Sequence, residues 1–223
     1  MGCNAQLLEF LNQLERNNDR AWFEAHKPQF LSLEEGFKAT ISSIANRLNQ
    51  FDIIEKYKAY RIYRDIRFSK DKTPFKPHRS AYWKRAGSQR RGGYYLKIQP
   101  GDRSYMAVGF FGPNKDDLLR IRQEFEVDGD SFKTITSDLG FQSIWGKLQG
   151  ERLKTSPRNF DSAHDHIDII RFKSFFFEHS FTDEQIQSTD FEFEIAQNFK
   201  AAMPFLNYMS EVLTTDLNGE SIL

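Results

Sequence analysis

The sequence predicts an α+β protein, with a helical amino-terminal region and a carboxy-terminal helix packed on a mainly antiparallel central sheet. Three observations carry this expectation. Apolar residues recur at helical spacing over the first fifty residues, the period switches to two from Tyr57, and helical spacing returns near Asp190. With no internal repeat and no Pro/Gly/Ser linker, 1–223 reads as a single domain: helical over 1–55, sheet-rich over about 57–181, with the terminal helix over about 190–216.

Leu7, Leu8, Leu11 and Leu14 form the stripe of a first helix. Asn17-Asn18-Asp19 then breaks the chain and caps a short second helix carrying Trp22 and Phe23, and Pro28 suits the first turn of a third. Phe30, Leu33, Phe37, Ile41, Ile44, Leu48 and Phe51 step by three and four, which makes them core. Strands are expected at Arg61 to Phe68, Ser80 to Lys84, Tyr94 to Gln99, Tyr105 to Phe110 and Phe175 to Phe181. Pro100-Gly101-Asp102 supplies a turn too short for anything but an antiparallel pair. Helices are expected from about Asn114 to Glu126 and Asp165 to Arg171, with irregular or strand-like chain between them to Phe160. Pro204 should kink or split the last helix.

The chain holds 31 basic and 31 acidic residues, but they are segregated. Residues 58–91 carry twelve Lys and Arg against Asp65 and Asp71, and residues 175–223 carry nine acidic residues against Lys200. Either the two segments are complementary surfaces or the first is a basic patch open to an anionic ligand. One cysteine, Cys3, excludes an internal disulfide and any multi-cysteine zinc site and suits a reducing cytoplasm, the expected location. Met1-Gly2-Cys3 suggests acylation, but Gln6 stands where that pattern wants Ser or Thr. No apolar run approaches the roughly 20 residues of a membrane span, so no membrane partner is expected.

Arg61 to Lys76 reads R-I-Y-R-D-I-R-F-S-K-D-K-T-P-F-K. On a strand, Arg61, Tyr63, Asp65, Arg67 and Ser69 share one side, while Ile62, Arg64, Ile66 and Phe68 share the other. The second set reads as core, so Arg64 and Phe68 are assigned structural roles, and Arg64 requires a carboxylate because a buried guanidinium is costly unpaired. The first set places two guanidinium forks beside one carboxylate, a pattern that clamps phosphate or carboxylate bidentately. Arg61, Asp65, Arg67 and Lys72 are therefore the expected ligand-binding residues, with Asp65 the candidate base and Pro74 turning the chain so that Lys72 closes the site. A solvated ion-pair ladder is the plain alternative.

Arg61, Arg64, Asp65, Arg67, Phe68 and Lys72 also match, in order and spacing, the signature R-x-x-R-D-x-R-F-x-x-x-K-x-x-Y. In this the chain resembles the family catalogued as domain of unknown function 2461. The likeness extends through Asn17-Asn18-x-Arg20-x-Trp22-Phe23, His26-Lys27, Leu153-Lys154-x-x-Pro157 and Ile170-Arg171-x-Lys173-Ser174-Phe175. The signature's closing Tyr is Phe75 here, so no phenolic hydroxyl acts at that point. The resemblance implies a roughly full-length, single-domain member and supplies no reaction. Arg20, Lys154, Arg171 and Lys173 are the more distant basic candidates.

Asn159 to Asp168 is the one stretch resembling a metal site, through His164 and Asp168, but Asp161, Ser162 and Asp165 read more simply as helix caps. No metal is expected, since a third strong ligand and an H-E-x-x-H pattern are missing. G-x-S-x-G, P-loop and G-x-G-x-x-G patterns are absent, so an α/β-hydrolase, a P-loop NTPase and a dinucleotide-binding domain lose support, and no cofactor is expected. The preferred reading is a pocket for a small phosphorylated or carboxylated ligand. The alternatives are a nucleic-acid module using 58–91, with Tyr82, Trp83 and a flexible Gly87 to Gly93 loop, and a purely structural or partner-binding protein. The sequence fixes neither a reaction nor an oligomeric state.

Overall fold

In the computed structural model, residues 3–223 are described. The Met1-Gly2-Cys3 pattern falls outside them apart from the backbone of Cys3. Helices α1 (Cys3–Arg16) and α2 (Arg20–Leu48) precede strands β1 (Ile54–Ala59), β2 (Arg79–Arg85), β3 (Gly93–Ile98) and β4 (Ser104–Phe110). Helices α3 (Lys115–Thr136), α4 (Leu139–Trp145) and α5 (Ile167–Ile170) follow, then β5 (Phe175–Phe181), α6 (Asp183–Gln187), α7 (Phe191–Ala201) and α8 (Met203–Val212). The strands form one antiparallel sheet in the order β1-β2-β3-β4-β5, so the fold class is α+β.

The chain divides into two compact units. The first takes residues up to Trp83 with Tyr95–Met106 and Ser180–Ala196, and the second takes Lys84–Tyr94, Ala107–His179 and Gln197–Leu223. In the first unit α2 is one continuous helix, not the two expected around Pro28. Asp19 caps it by accepting from the Trp22 amide at 2.9 Å. Phe23, Phe30, Leu33, Phe37, Ile41, Ile44 and Leu48 are all buried, so the apolar stripe keeps its phase across Pro28. That packing outweighs the roughly 3 kcal/mol an interior proline costs. Phe10 of α1 packs on Phe30 at 5.8 Å between ring centroids, and Trp83 of β2 is tied to α2 through its indole N–H, which donates to the Ile41 carbonyl at 3.0 Å.

Arg79 is the buried arginine of this unit, 1% exposed. Its guanidinium forks onto Glu34 at 2.6 and 2.8 Å, donates to the Tyr60 carbonyl at 2.6 Å and lies over the rings of Phe30 and Phe37. A fully paired fork is what makes a buried charge tolerable. Gly101 (φ 80°) and Asp102 (φ 57°) make the turn between β3 and β4. The Asp183 carboxylate accepts both of their amides, and its own amide donates back to Asp102 at 2.7 Å.

In the second unit a phenylalanine cluster forms the core. Phe125 meets Phe132 at 4.7 Å, Phe141 meets Phe177 at 4.8 Å, and Phe177 meets Phe205 at 5.1 Å. Helix α3 runs ten residues past the expected end near Glu126, through a break at Asp128 (φ −141°, ψ 64°). Gly129 follows the break because the ring of His166 lies where a Cβ would stand, 2.4 Å away. α4, in a stretch read as irregular, is capped by Asp138, which accepts from the Phe141 amide at 2.9 Å. Pro204 sits in the first turn of α8 and accounts for the division of the last helix after Ala201.

Candidate functional site

Residues 61–68 do not form a strand. β1 ends at Ala59, and the chain from Tyr60 to His78 is a loop whose neck is closed by a single antiparallel bridge between Tyr63 and Phe75. The Arg64 amide donates to the Pro74 carbonyl at 2.9 Å and the Lys76 amide to the Ile62 carbonyl at 2.8 Å. Beyond this neck, side chains take the place of a ladder. Asp65 accepts from the Arg67 amide, Asp71 from the Thr73 amide, and the Lys72 ammonium donates to the Ile66 carbonyl at 2.9 Å. Asp, Ser and Thr favour such local bonds over sheet pairing, and Pro74 has no amide to give.

The expected two-faced arrangement therefore changes. Ile62 is buried, but Phe68, assigned to the core, is 95% exposed at the loop's far end. Arg64 does hold a carboxylate, that of Asp71, and also donates to Thr73. Arg64, followed by the Thr73 amide and hydroxyl, holds the Asp71 carboxyl down at about 2. Arg67 is closed on Asp65 by a two-pronged contact at 3.0 and 2.6 Å, which keeps that carboxyl below its ordinary value and ionised. Among the described residues Arg61 and Arg20 have no ion-pair or hydrogen-bond partner.

The loop is fastened to α2 by Asn18. Its amide nitrogen donates to the Phe75 carbonyl at 3.0 Å, and its amide oxygen accepts from the Phe75 N–H at 3.1 Å. The Phe75 ring, 2% exposed, stacks on Phe23 at 4.0 Å. Between the two segments lies a pocket of about 280 Å³ lined by Arg20, Glu24, Tyr63, Arg64, Ile66, Pro74 and Phe75. Of the expected site residues only Arg20, a distant candidate, lines it, joined by Arg64, which alternation had made structural. Arg61, Asp65, Arg67 and Lys72 share the loop but not the pocket wall. Glu24 and Tyr63 were missed; Glu24 stands four residues after Arg20 on α2, one helical turn along the same face.

Positive charge accumulates at the base of the loop. Burial, then Arg79, Arg61 and Arg64, push the Lys76 ammonium below its ordinary value. Burial, then Lys97, Lys76, Arg79 and Arg64, hold His78 down to about 4, so it is neutral at pH 7.

In the second unit Leu153 donates to the Arg171 carbonyl and Lys173 to the Glu151 carbonyl, which gathers Lys154, Arg171 and Lys173 into one ribbon. The Lys173 ammonium is paired with Glu151, while the buried Arg171 Nε has no hydrogen-bond partner. His164 precedes α5 and does not share a helix face with Asp168, which pairs with Lys133 at 3.2 Å. The capping expected of Asp161, Ser162 and Asp165 is also absent. His166 stands at the cap position of α5 and makes no side-chain cap bond, and Asp161 instead turns the chain by accepting from the Ala163 amide. Among the described residues no three His, Cys, Asp or Glu side chains are placed to hold a metal. Two parts of the alternative nucleic-acid track, Trp83 and Arg91 in the Gly87 to Gly93 loop, are engaged within the fold. Trp83 is fully buried, and Arg91 is tied to Asp117 and, through its amide, to Ser210.

A family model described as "Conserved hypothetical protein (DUF2461)" matches residues 6–208. The chain belongs to the DUF2461 family. No curated protein and no solved structure matched it. Two stretches of the DUF2461 likeness that lie far apart in sequence, Asn17 to Phe23 and Arg61 to Phe75, meet here. Asn18 grips Phe75, Phe23 stacks on it, and Arg20 and Arg64 line one pocket.

Proposed function

We propose that this DUF2461 protein binds a small ligand through a phosphate or carboxylate group held in the pocket between the start of α2 and the 61–76 loop. The observation that carries the reading is Arg20, a guanidinium without a protein partner, lining a pocket beside Arg64 where Ile66, Pro74 and Phe75 supply apolar wall. Low-polarity walls strengthen an ion pair relative to open water. Arg61, Lys76 and Arg79 add positive field from the base of the loop. Glu24, which also pairs with Lys27 at 3.0 Å, and the Tyr63 hydroxyl bring an acceptor and a second donor, which suits a ligand with a hydroxyl or amino group beside its anion. Asp65 and Lys72 shape the loop in this account, the first by bracing Arg67 and the second by holding Ile66.

Thermal unfolding with inorganic phosphate, citrate and phenyl phosphate tests the proposal. A ligand at 100 times its Kd adds about 2.7 kcal/mol to stability. Phenyl phosphate should stabilise more than inorganic phosphate, because its ring meets the Ile66 and Phe75 wall, and Arg20→Ala should weaken both responses. An Arg20→Ala protein that responds like the wild type defeats the proposal.

A further inference from the structure

The strand faces of the first unit are unlike. On β2, Arg79 and Trp83 point to α2, where they bond Glu34 and Ile41, and Tyr82 lies on the opposite side. There Tyr82 touches Tyr60 at 5.4 Å between centroids, Tyr60 touches Tyr95 at 6.2 Å, and Tyr95 touches Tyr105 at 5.7 Å. Four phenol rings thus form an unbroken chain in the order Tyr82, Tyr60, Tyr95, Tyr105. Tyr60 is 42% exposed. The Lys76 ammonium lies over Tyr60 at 5.8 Å and that of Lys97 over Tyr105 at 5.1 Å. Lys56 and Lys58 stand on the same side of β1 by strand alternation.

We propose that this tyrosine and lysine face binds single-stranded nucleic acid, with bases stacked on the rings and phosphates held by the lysines. Charge complementarity selects a polyanion, and the rings select among polyanions. An acidic peptide has no flat group for four phenols, and a neutral sugar leaves the lysines unused. A single strand uses both, because every base has a π-face and every linkage a phosphate. A duplex hides its faces. None of these residues lines the small-anion pocket, to which Lys76 lends only field, so Tyr60 and Tyr82 test this proposal without touching the other.

The test is fluorescence anisotropy of a labelled oligothymidylate of about 15 nucleotides. Wild type should bind it at least about tenfold more tightly than the same strand annealed to its complement. Stacking contributes about 1–3 kcal/mol per base, so Tyr60→Leu and Tyr82→Leu should each weaken binding by about 5- to 150-fold. Lys76→Gln should lower the slope of log K against log salt by about 0.7. Lys38→Gln, a surface lysine on α2, should change nothing, and Tyr60→Leu should still bind inorganic phosphate as wild type does. Because Tyr60 is exposed, its truncation spares the fold, which circular dichroism checks. The proposal is overturned if the oligonucleotide fails to bind, if the tyrosine variants bind it like wild type, or if polyglutamate competes as well as unlabelled oligothymidylate.

Discussion

The side-chain amide of Asn18 pairs with the backbone of Phe75 as a neighbouring strand would, donating to its carbonyl and accepting from its N–H across 57 positions of sequence. This double contact sets the mouth of the Arg20 pocket. Asn18→Ala leaves both Phe75 groups without a partner in a partly buried place, at about 1–3 kcal/mol. Urea unfolding should show that loss, and phosphate affinity should fall with it because the loop is no longer held against α2. Unchanged affinity in a destabilised variant would mean that the pocket does not depend on the clamp.

Arg79 and Arg67 should separate in stability. Arg79→Ala strands Glu34 and opens a hole beside Phe30 and Phe37, a change that costs about 3–5 kcal/mol. Arg67 and Asp65 form a solvent-exposed pair, so Arg67→Ala should leave the unfolding midpoint where it was. Equal losses in the two variants would refute this division.

His78 makes stability depend on pH. Its folded value of about 4 lies below the ordinary 6.5, so between these values the unfolded chain binds the extra proton. Stability therefore falls as pH drops from 6.5 to 4 and is level above. Asp71 adds a second loss only below 3.8, as pH approaches 2. His78→Gln should flatten the upper window and leave the lower one. Urea midpoints that fall as steeply from pH 7 to pH 4.5 in His78→Gln as in wild type would contradict the assignment.

Gly109 (φ 137°) lies so close to β5 that an added Cβ would stand 2.3 Å from the Phe175 carbonyl oxygen, whereas Gly112 faces open space. Gly109→Ala should cost several kcal/mol and Gly112→Ala less than about 0.5 kcal/mol, read from denaturant midpoints. Similar midpoints for both variants would refute the contact.

The elements legible in the sequence were those whose side chains keep one period and pack. β2 to β5 and the α2 stripe lie where alternation or helical spacing placed them, and the antiparallel sheet followed from the short Pro100 to Asp102 turn. The segment 61–68 misled because its alternation is met by local bonds within the 61–76 loop and not by a sheet partner: Asp65 to Arg67, Asp71 to Thr73, Lys72 to Ile66. Period two in a charged, Arg-rich run does not distinguish a strand from a loop braced by its own side chains. The arginine sought in the core was Arg79, whose signal was its place two and four residues before Ala81 and Trp83 on one strand side. The Arg20 pocket needed two segments that sequence spacing does not bring together. Only the matched stretches Asn17 to Phe23 and Arg61 to Phe75 pointed to it.

The most direct test of the central claim is calorimetric titration of inorganic phosphate into wild type, Arg20→Ala and Arg67→Ala. A charge-assisted hydrogen bond contributes about 1.5–3 kcal/mol, so Arg20→Ala should bind at least about tenfold more weakly. Arg67→Ala, whose guanidinium is already closed on Asp65, should bind as wild type does. The opposite pattern, affinity lost with Arg67 and kept without Arg20, would place the anion on the exposed tip of the loop and contradict the account.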